Sequence, residues 1–183
     1  LVIVNTGKGH ADLSQEYSEI PEEMKAAAKV LGVELLHETT LDQLLAHVNE
    51  ITDDRAVLRA IHFFEETARV ERAADAIGEE NYTEFLKLMD ESGRSSWELL
   101  QNCYSLQNCH EQKISLMLAL TQLFLNKIGG GICRVHGGGF AGVIATIVPE
   151  TEMENYVAYI SQYVGKENVY PMDIRAVGAA HID

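Results

Sequence analysis

A cluster of glycines is the feature of this sequence that most directly suggests a site for chemistry. Gly137, Gly138 and Gly139 are consecutive, and Gly142 follows them between two segments that favour β-structure. Glycine is used where the backbone must adopt a positive φ or approach another group closely. A loop of this kind between two strands can present backbone N–H groups to an anion, so it is a candidate phosphate-binding loop. A flexible β-turn is the alternative that the composition allows.

The cysteines offer a weaker candidate site. Cys103, Cys109 and His110 lie close together in the sequence. Structural zinc requires four ligands with short paired spacings, which this segment lacks, so we expect no metal site. The chain has three cysteines, an odd number. This count favours free thiols in a reducing compartment, and we expect a cytoplasmic protein.

Two further histidines could take part in proton transfer or anion binding. His10 and Asp12 form a possible acid–base pair, although two groups at this spacing in a turn more often make a local cap. His136 precedes the glycine cluster and could contact a phosphate as a cation. A strand histidine that faces solvent is the simpler interpretation of that residue.

The periodicity of apolar residues predicts the elements that position these groups. Predicted strands cover residues 1–6, 169–175, and 131–148 on both sides of the glycine loop; an extended piece is predicted at 33–36. Predicted helices cover residues 21–31, 40–47, 53–78, 111–127 and 152–164, and Pro21 lies in the first turn of the first one. Asn81 is predicted to cap a further helix, which breaks at Gly93 and Ser95–Ser96. The stripe at 114–125 is predicted to be core. Helices in the middle and strands towards the end indicate an α+β fold, an antiparallel sheet covered by helices.

Composition limits the class of protein. The 183 residues suit a single domain, and the formal charge of −14 argues against a surface that binds nucleic acid. No apolar run approaches the ~18 residues of a membrane span, and no signal peptide is visible at Leu1. Because the chain begins without Met at an apolar strand, we interpret Leu1 as a boundary inside a longer protein.

Several motifs, in order, resemble galactokinases of the GHMP sugar-kinase superfamily. The segment Arg134–Gly142 resembles that superfamily's third motif, which in galactokinases commonly reads Arg-Met-Thr-Gly-Ala-Gly-Phe-Gly-Gly. Arg59–His62 with Glu65–Val70 resembles an Arg-Ala-x-His…Glu…Arg-Val helix, and Phe85–Ser92 resembles Phe-x-x-Leu-Met-x-x-Ser. The opening segment up to Tyr17 is similar to the one that follows the family's catalytic aspartate. The resemblance spans most of residues 1–178.

This resemblance implies a C-terminal GHMP kinase domain over residues 1–183, with a ferredoxin-like fold. The family transfers the γ-phosphoryl of ATP to the 1-hydroxyl of galactose with Mg²⁺. Its Ser/Gly-rich phosphate loop and aspartate base have no counterpart here, so we expect no catalytic residue in this chain. ATP and Mg²⁺ are then bound mainly by an N-terminal domain, a partner that this chain lacks, and the chain alone is expected to be inactive.

The resemblance also implies which residues approach the ligands. The third motif lies beside the active site and supports the phosphate loop. Its counterparts in this sequence are Gly137, Gly138, Gly139, Phe140, Ala141 and Gly142. Tyr17 matches a tyrosine that hydrogen-bonds the sugar, although Ser18-Glu-Ile-Pro21 follows it where the family often has Asn-x-Arg-Arg. A half-buried tyrosine with a hydrated hydroxyl is the alternative interpretation.

Two other functions remain open from the sequence. A non-catalytic relative that senses sugar and nucleotide would have the same motifs in this half. An unrelated ferredoxin-like regulatory domain would require the ordered motifs to be coincidental. The state of the phosphate loop and aspartate base upstream distinguishes an enzyme from a sensor.

Overall fold

Four short strands in the described chain form one antiparallel sheet, in the order β2-β3-β1-β4. The structure is a computed structural model, and it describes residues 1–7 and 13–178. The strands are β1 (Val2–Asn5), β2 (Ile132–His136), β3 (Val143–Ile147) and β4 (Val169–Pro171). Ile3 of β1 lies opposite Ala145 on one side and Tyr170 on the other. The strand nearest the start of the chain therefore lies in the interior of the sheet, between strands from the other end.

Six α-helices lie in the described residues. They are α1 (Ser14–Val30), α2 (Leu41–Ala46), α3 (Asp54–Gly78), α4 (Tyr82–Ser95), α5 (Lys113–Ile128) and α6 (Met153–Val164). Side-chain caps begin two of them: Asp53 accepts hydrogen bonds from the amides of Arg55 and Ala56, and Asn81 accepts one from the amide of Glu84. These caps satisfy amides that have no partner inside the first turn of a helix. The predicted cap at Asn81 is confirmed.

Three predicted element boundaries were wrong. Helix α1 begins at Ser14, so Pro21 lies inside it and not in its first turn. A proline inside a helix removes one backbone hydrogen bond, and the packing of α1 against α3 outweighs that loss. Residues 33–35 form bends that lead into a 3₁₀-helix, Leu36–Glu38, and not an extended piece. The last strand ends at Pro171 because only Val169–Pro171 pair with β1.

Gly93 serves close packing and does not end a helix. The predicted break there was wrong, because α4 continues to Ser95 and is followed by one turn of π-helix, Ser96–Leu100. A Cβ atom on Gly93 would lie 2.8 Å from Cβ of Arg134 and 3.2 Å from the carbonyl oxygen of Cys133. The glycine therefore allows the backbone of α4 to lie directly against β2.

Two apolar cores hold these elements together. One lies between the sheet and helices α5 and α6, and it includes the predicted core positions Ile114, Met117 and Leu125. The other joins α1, α2 and α3 around Ala27, Leu44 and neighbouring side chains. Helix α5 is therefore a core helix, and no described helix is long and apolar enough to span a bilayer.

A buried polar network connects β2 to α4 and α3. Arg134 on β2 donates a hydrogen bond of 2.6 Å to the hydroxyl of Ser92, which in turn donates to the carboxylate of Glu66. Glu66 also accepts a hydrogen bond from Arg69. His62 and Ser95 form a further contact of 2.8 Å between α3 and α4. Polar groups with partners of this kind tolerate burial and fix the relative positions of the elements that carry them.

We expect the Gly93→Val substitution to destabilise the fold. The added side chain would force α4 and β2 apart, at a cost of about 1–3 kcal/mol in the free energy of unfolding. Gly78→Ala is the matched control, because a Cβ there has no atom within 4 Å. Urea midpoints of the two variants test the difference, and equal midpoints would contradict the close approach.

The three thiols should differ in reactivity. Cys109 is exposed, whereas Cys103 and Cys133 are buried, and burial raises the pKa of each buried thiol to about 12. Ellman's reagent at pH 8 should therefore modify one thiol quickly in the native chain and all three in denaturant. Because unfolded thiols ionise near pH 8.5, the stability that these buried groups contribute should be lost as pH rises from about 9 towards 12. A free energy of unfolding that rises over this interval would contradict the assignment.

Candidate functional site

The glycine cluster forms the loop between β2 and β3, as predicted. Gly137, Gly139 and Gly142 have φ values of +75°, +82° and +96°. Phe140 also adopts a positive φ, 56°, which is rare for a residue with a side chain. Positive φ values along one short loop make the chain reverse sharply between two paired strands. The loop therefore has a specific backbone conformation that glycine favours.

Asn102 fastens this loop to the helical part of the molecule. Its carbonyl oxygen accepts a hydrogen bond from the amide of Phe140, and its side-chain Nδ2 donates to the carbonyl oxygen of Gly138 at 3.1 Å. A Cβ atom on Gly139 would overlap the Asn102 carbonyl and would lie 2.6 Å from Nδ2. Only glycine at position 139 therefore permits this approach of the two backbones.

The π-helical turn Ser96–Leu100 positions Asn102. Gln101 follows the turn in the left-handed region, with φ 58°, and its amide donates to the carbonyl oxygen of Ser96 at 2.9 Å. π-Helical turns are rare and occur often at functional sites. In this chain the turn directs Asn102 onto the glycine loop. The sequence interpretation missed Asn102, because a short Leu-Gln-Asn-Cys segment carries no recognised motif.

Tyr17 also contacts the loop. Its hydroxyl donates a hydrogen bond of 2.8 Å to the carbonyl oxygen of Gly139, and its ring meets Phe140 edge-on, with centroids 5.5 Å apart. A Cβ on Gly138 would lie 2.7 Å from the Tyr17 ring. Partial burial, and secondly the negative charge of Glu16, raise the pKa of Tyr17 above its ordinary value. The phenol is therefore protonated at neutral pH and acts as a hydrogen-bonding group.

The loop amides for which the structure gives an acceptor donate to backbone carbonyl groups of this chain. Phe140 donates to Asn102, and the amide of Ala141 donates to the carbonyl oxygen of Gly139 at 2.6 Å. At the end of the loop, Thr6 donates from both its amide and its hydroxyl to Gly142. Gly139, Phe140 and Ala141 are buried, while Gly137 and Gly138 are exposed. This arrangement suits a loop that supports a neighbouring group better than one that surrounds a phosphate with its own amides.

The structure describes several of the weaker candidates from the sequence. His136 is exposed at the end of β2, as the simpler interpretation predicted. Cys103 is buried while Cys109 is exposed, and the described residues contain no group of His, Cys, Asp or Glu side chains that could hold a metal ion. The pair His10 and Asp12 lies outside the described residues, so its interpretation as a cap or an acid–base pair stays a prediction.

Comparisons with known proteins point to one family. No family model matches the chain. The galactokinase of Mannheimia succiniciproducens is 30% identical over 156 residues, which are 84% of this chain and 38% of that protein. The galactokinase of Actinobacillus pleuropneumoniae serotype 5b is 27% identical over 172 residues, which are 91% of this chain and 42% of that protein. The crystal structure of Lactococcus lactis galactokinase complexed with galactose superposes with a TM-score of 0.72 and 23% identity, covering 92% of this chain and 43% of that one.

These similarities confirm the resemblance to galactokinases that the motifs predicted. The structural similarity also confirms the α+β fold, with its antiparallel sheet packed against helices. The chain spans about two fifths of the length of the curated relatives that it matches.

Two alanine substitutions separate backbone strain from steric overlap in the loop. Gly137→Ala and Gly139→Ala both place a side chain at positive φ, but a Cβ on Gly137 has no atom within 4 Å, whereas a Cβ on Gly139 overlaps Asn102. We expect the first to cost about 1–2 kcal/mol and the second about 1–3 kcal/mol more. Thermal or urea unfolding measures both, and equal losses would show that Asn102 does not constrain position 139.

Proposed function

We propose that this chain is the C-terminal part of a galactokinase-like sugar kinase. The whole protein would transfer the γ-phosphoryl group of ATP to the 1-hydroxyl of galactose or a related hexose. The observation that carries the proposal is a glycine loop fastened by Tyr17 and Asn102, inside a chain similar to galactokinases over 84–91% of its length.

The described residues do not by themselves fit a nucleotide–metal site. Phosphoryl transfer depends on groups that position the phosphates and neutralise their charge. Among the described residues, Oδ1 of Asn102 is buried without a hydrogen-bond partner, and as an acceptor it gives a phosphate no hydrogen bond. The described residues also contain no cluster of side chains suited to a metal ion. We therefore assign ATP and Mg²⁺ to an N-terminal domain outside this chain and expect the chain alone to be inactive.

In this proposal the chain supplies one wall of the sugar site. Tyr17 is held in place from two sides, by its hydrogen bond to Gly139 and by the edge of Phe140. A phenolic hydroxyl can both donate and accept hydrogen bonds, which suits a contact with a sugar hydroxyl. Because burial raises the pKa of Tyr17, the residue orients the substrate and does not remove its proton. Residues 137–142 would then hold Tyr17 in place and support the phosphate loop of the N-terminal domain.

The proposal predicts turnover only from the longer protein. ADP release should be measured with ATP, Mg²⁺ and a panel of hexoses, for this 183-residue chain and for the gene product that includes the upstream domain. Sugar-dependent ADP release by the longer protein alone supports the kinase. Calorimetric binding of a sugar without any turnover would favour a sensor. The absence of both binding and turnover would overturn the kinase and the sensor alike.

Tyr17→Phe in the longer protein tests the sugar contact. Loss of one hydrogen bond, worth about 0.5–1.5 kcal/mol, should raise KM for the sugar about 2- to 12-fold and leave KM for ATP nearly unchanged. Tyr82→Phe is the matched control, since Tyr82 is 62% exposed at the start of α4. A Tyr17→Phe enzyme with lower thermal stability but an unchanged KM for sugar would reduce Tyr17 to a structural role.

A further inference from the structure

Helix α5 exposes leucine side chains on the face that points away from the core. Leu116 is 48% exposed, Leu123 is 63% exposed, and Ala119 between them is also exposed. Residues three, four and seven positions apart share one face of a helix, so these three form an apolar stripe together with the half-buried Leu120. We call these four residues the α5 stripe. Because the opposite face of α5 lies in the core, the helix is apolar on both sides, which is typical of a helix covered on both sides.

The charge distribution favours a second copy of this chain as the cover. The chain carries a formal charge of −14, yet α5 contains no Asp or Glu and carries Lys113 and Lys127. Each of the other described α-helices contains at least one acidic residue. Two copies repel each other wherever their acidic surfaces meet. Contact through α5 brings together a helix in each copy that adds no carboxylate to the interface.

The spacing of the α5 stripe is self-complementary. Two α5 helices can pack antiparallel around a two-fold axis that passes between Ala119 and Leu120. Leu116 of each copy then faces Leu123 of the other, and Ala119 faces Leu120, as an isologous interface requires. The small Ala119 beside the axis lets the two helices approach closely. In this register no lysine of α5 faces a lysine of the other copy, and the two helix dipoles are antiparallel.

Aromatic side chains border the stripe on both sides. Tyr163 on α6 is 48% exposed and contacts the ring of Tyr159, whose hydroxyl donates to the carbonyl oxygen of Leu120 at 3.1 Å. On the other side, Trp97 is 37% exposed and lines a cavity of about 360 Å³ together with Ala119. Tyr and Trp are enriched in protein–protein interfaces. The cavity offers a recess for side chains of the second copy.

The size of this surface suits a weak, reversible dimer. Helix α5 has 16 residues, so it is about 24 Å long. The aromatic borders widen the contact to roughly 20 Å, about two helix diameters. Two copies would then bury about 1,000 Å² in total, which is the lower limit for a specific interface. We therefore expect a dissociation constant in the micromolar range.

We propose that a second copy of this chain docks on the α5 stripe, with the two α5 helices antiparallel around a two-fold axis between Ala119 and Leu120. The proposal goes beyond the proposed function, because it concerns assembly and does not require phosphoryl transfer.

Sedimentation velocity over a range of protein concentrations tests the dimer. Both the 183-residue chain and the longer gene product should show a reversible monomer–dimer equilibrium. Higher salt concentration should favour the dimer, because salt screens the repulsion between two acidic copies while the apolar contact remains.

Leu123→Glu tests the α5 stripe. The substitution places an unpaired carboxylate in the interface, and it should weaken self-association at least about 10-fold. Val70→Glu is the matched control, because Val70 is also 63% exposed but lies on α3. The control should leave the dimer unchanged. Circular dichroism and melting temperature check that both variants fold, and Leu116→Lys replaces Leu123→Glu if that variant does not.

A charge swap tests the register. Leu116→Lys and Leu123→Glu chains should each associate weakly when alone. When the two variants are mixed, the new lysine of one copy faces the new glutamate of the other, and Leu123 of the first faces Leu116 of the second. The mixture should therefore form a heterodimer at least about 10-fold tighter than either variant alone.

Several outcomes would overturn the proposal. They are a chain that stays monomeric at every concentration, a dimer that salt dissociates, a dimer that Leu123→Glu and Leu116→Lys leave intact, and a mixture of those variants that does not associate. A monomeric longer protein beside a dimeric 183-residue chain would assign the stripe to the upstream domain and overturn it too. Turnover by a monomeric kinase would contradict this inference alone, and a dimer without turnover would contradict the proposed kinase alone.

Discussion

The arrangement of the glycine loop depends on one buried guanidinium group, that of Arg59. This side chain is 1% exposed, donates from Nη1 to Glu23 on α1 at 2.8 Å, and donates from Nε to the carbonyl oxygen of Leu100 at 3.2 Å. Burial lowers the pKa of Arg59 from its ordinary value, and the carboxylate of Glu23 opposes that effect. An arginine remains charged in such surroundings and its planar group can bond in fixed directions. It therefore holds α1, α3 and the end of the π-helical turn in one arrangement.

The position of Leu100, which Arg59 holds, in turn fixes the residues that follow it. Leu100 is the last residue of the π-helical turn, and Gln101 then reverses the backbone with a positive φ. Asn102 is thereby brought against the glycine loop, where it bonds to Gly138 and Phe140. Because α1 also carries Tyr17, the same helix that Arg59 holds through Glu23 supplies the second contact to the loop. The loop is thus held by contacts from α1 and from the segment after the π-helical turn, and Arg59 bonds to both of these elements.

Sequence patterns predicted those features whose cause is local. The strands around the glycines, the cap at Asn81 and the apolar stripe of α5 depend on short-range propensity and periodicity. The missed features depend on contacts between distant segments. Gly93 looks like a helix breaker and Pro21 like a first-turn proline until β2 and α3 are packed against their helices. Asn102 looks like a surface amide until the loop 36 residues away reaches it.

The charges of the described residues bear on which part of the proposed kinase binds the sugar and which part binds ATP. The chain carries a formal charge of −14, and one oxygen of the buried Glu16 carboxylate has no hydrogen-bond partner among the described residues. Both features are unfavourable for a triphosphate and neutral towards a sugar, which carries no charge to repel. Arg55 and Arg59, which could have attracted phosphate, are neutralised by Glu19 and Glu23. In the proposed kinase, the cationic and metal-binding groups that hold a triphosphate would therefore belong to the N-terminal domain. This reasoning favours the assignment of the chain to the sugar side of a two-part active site.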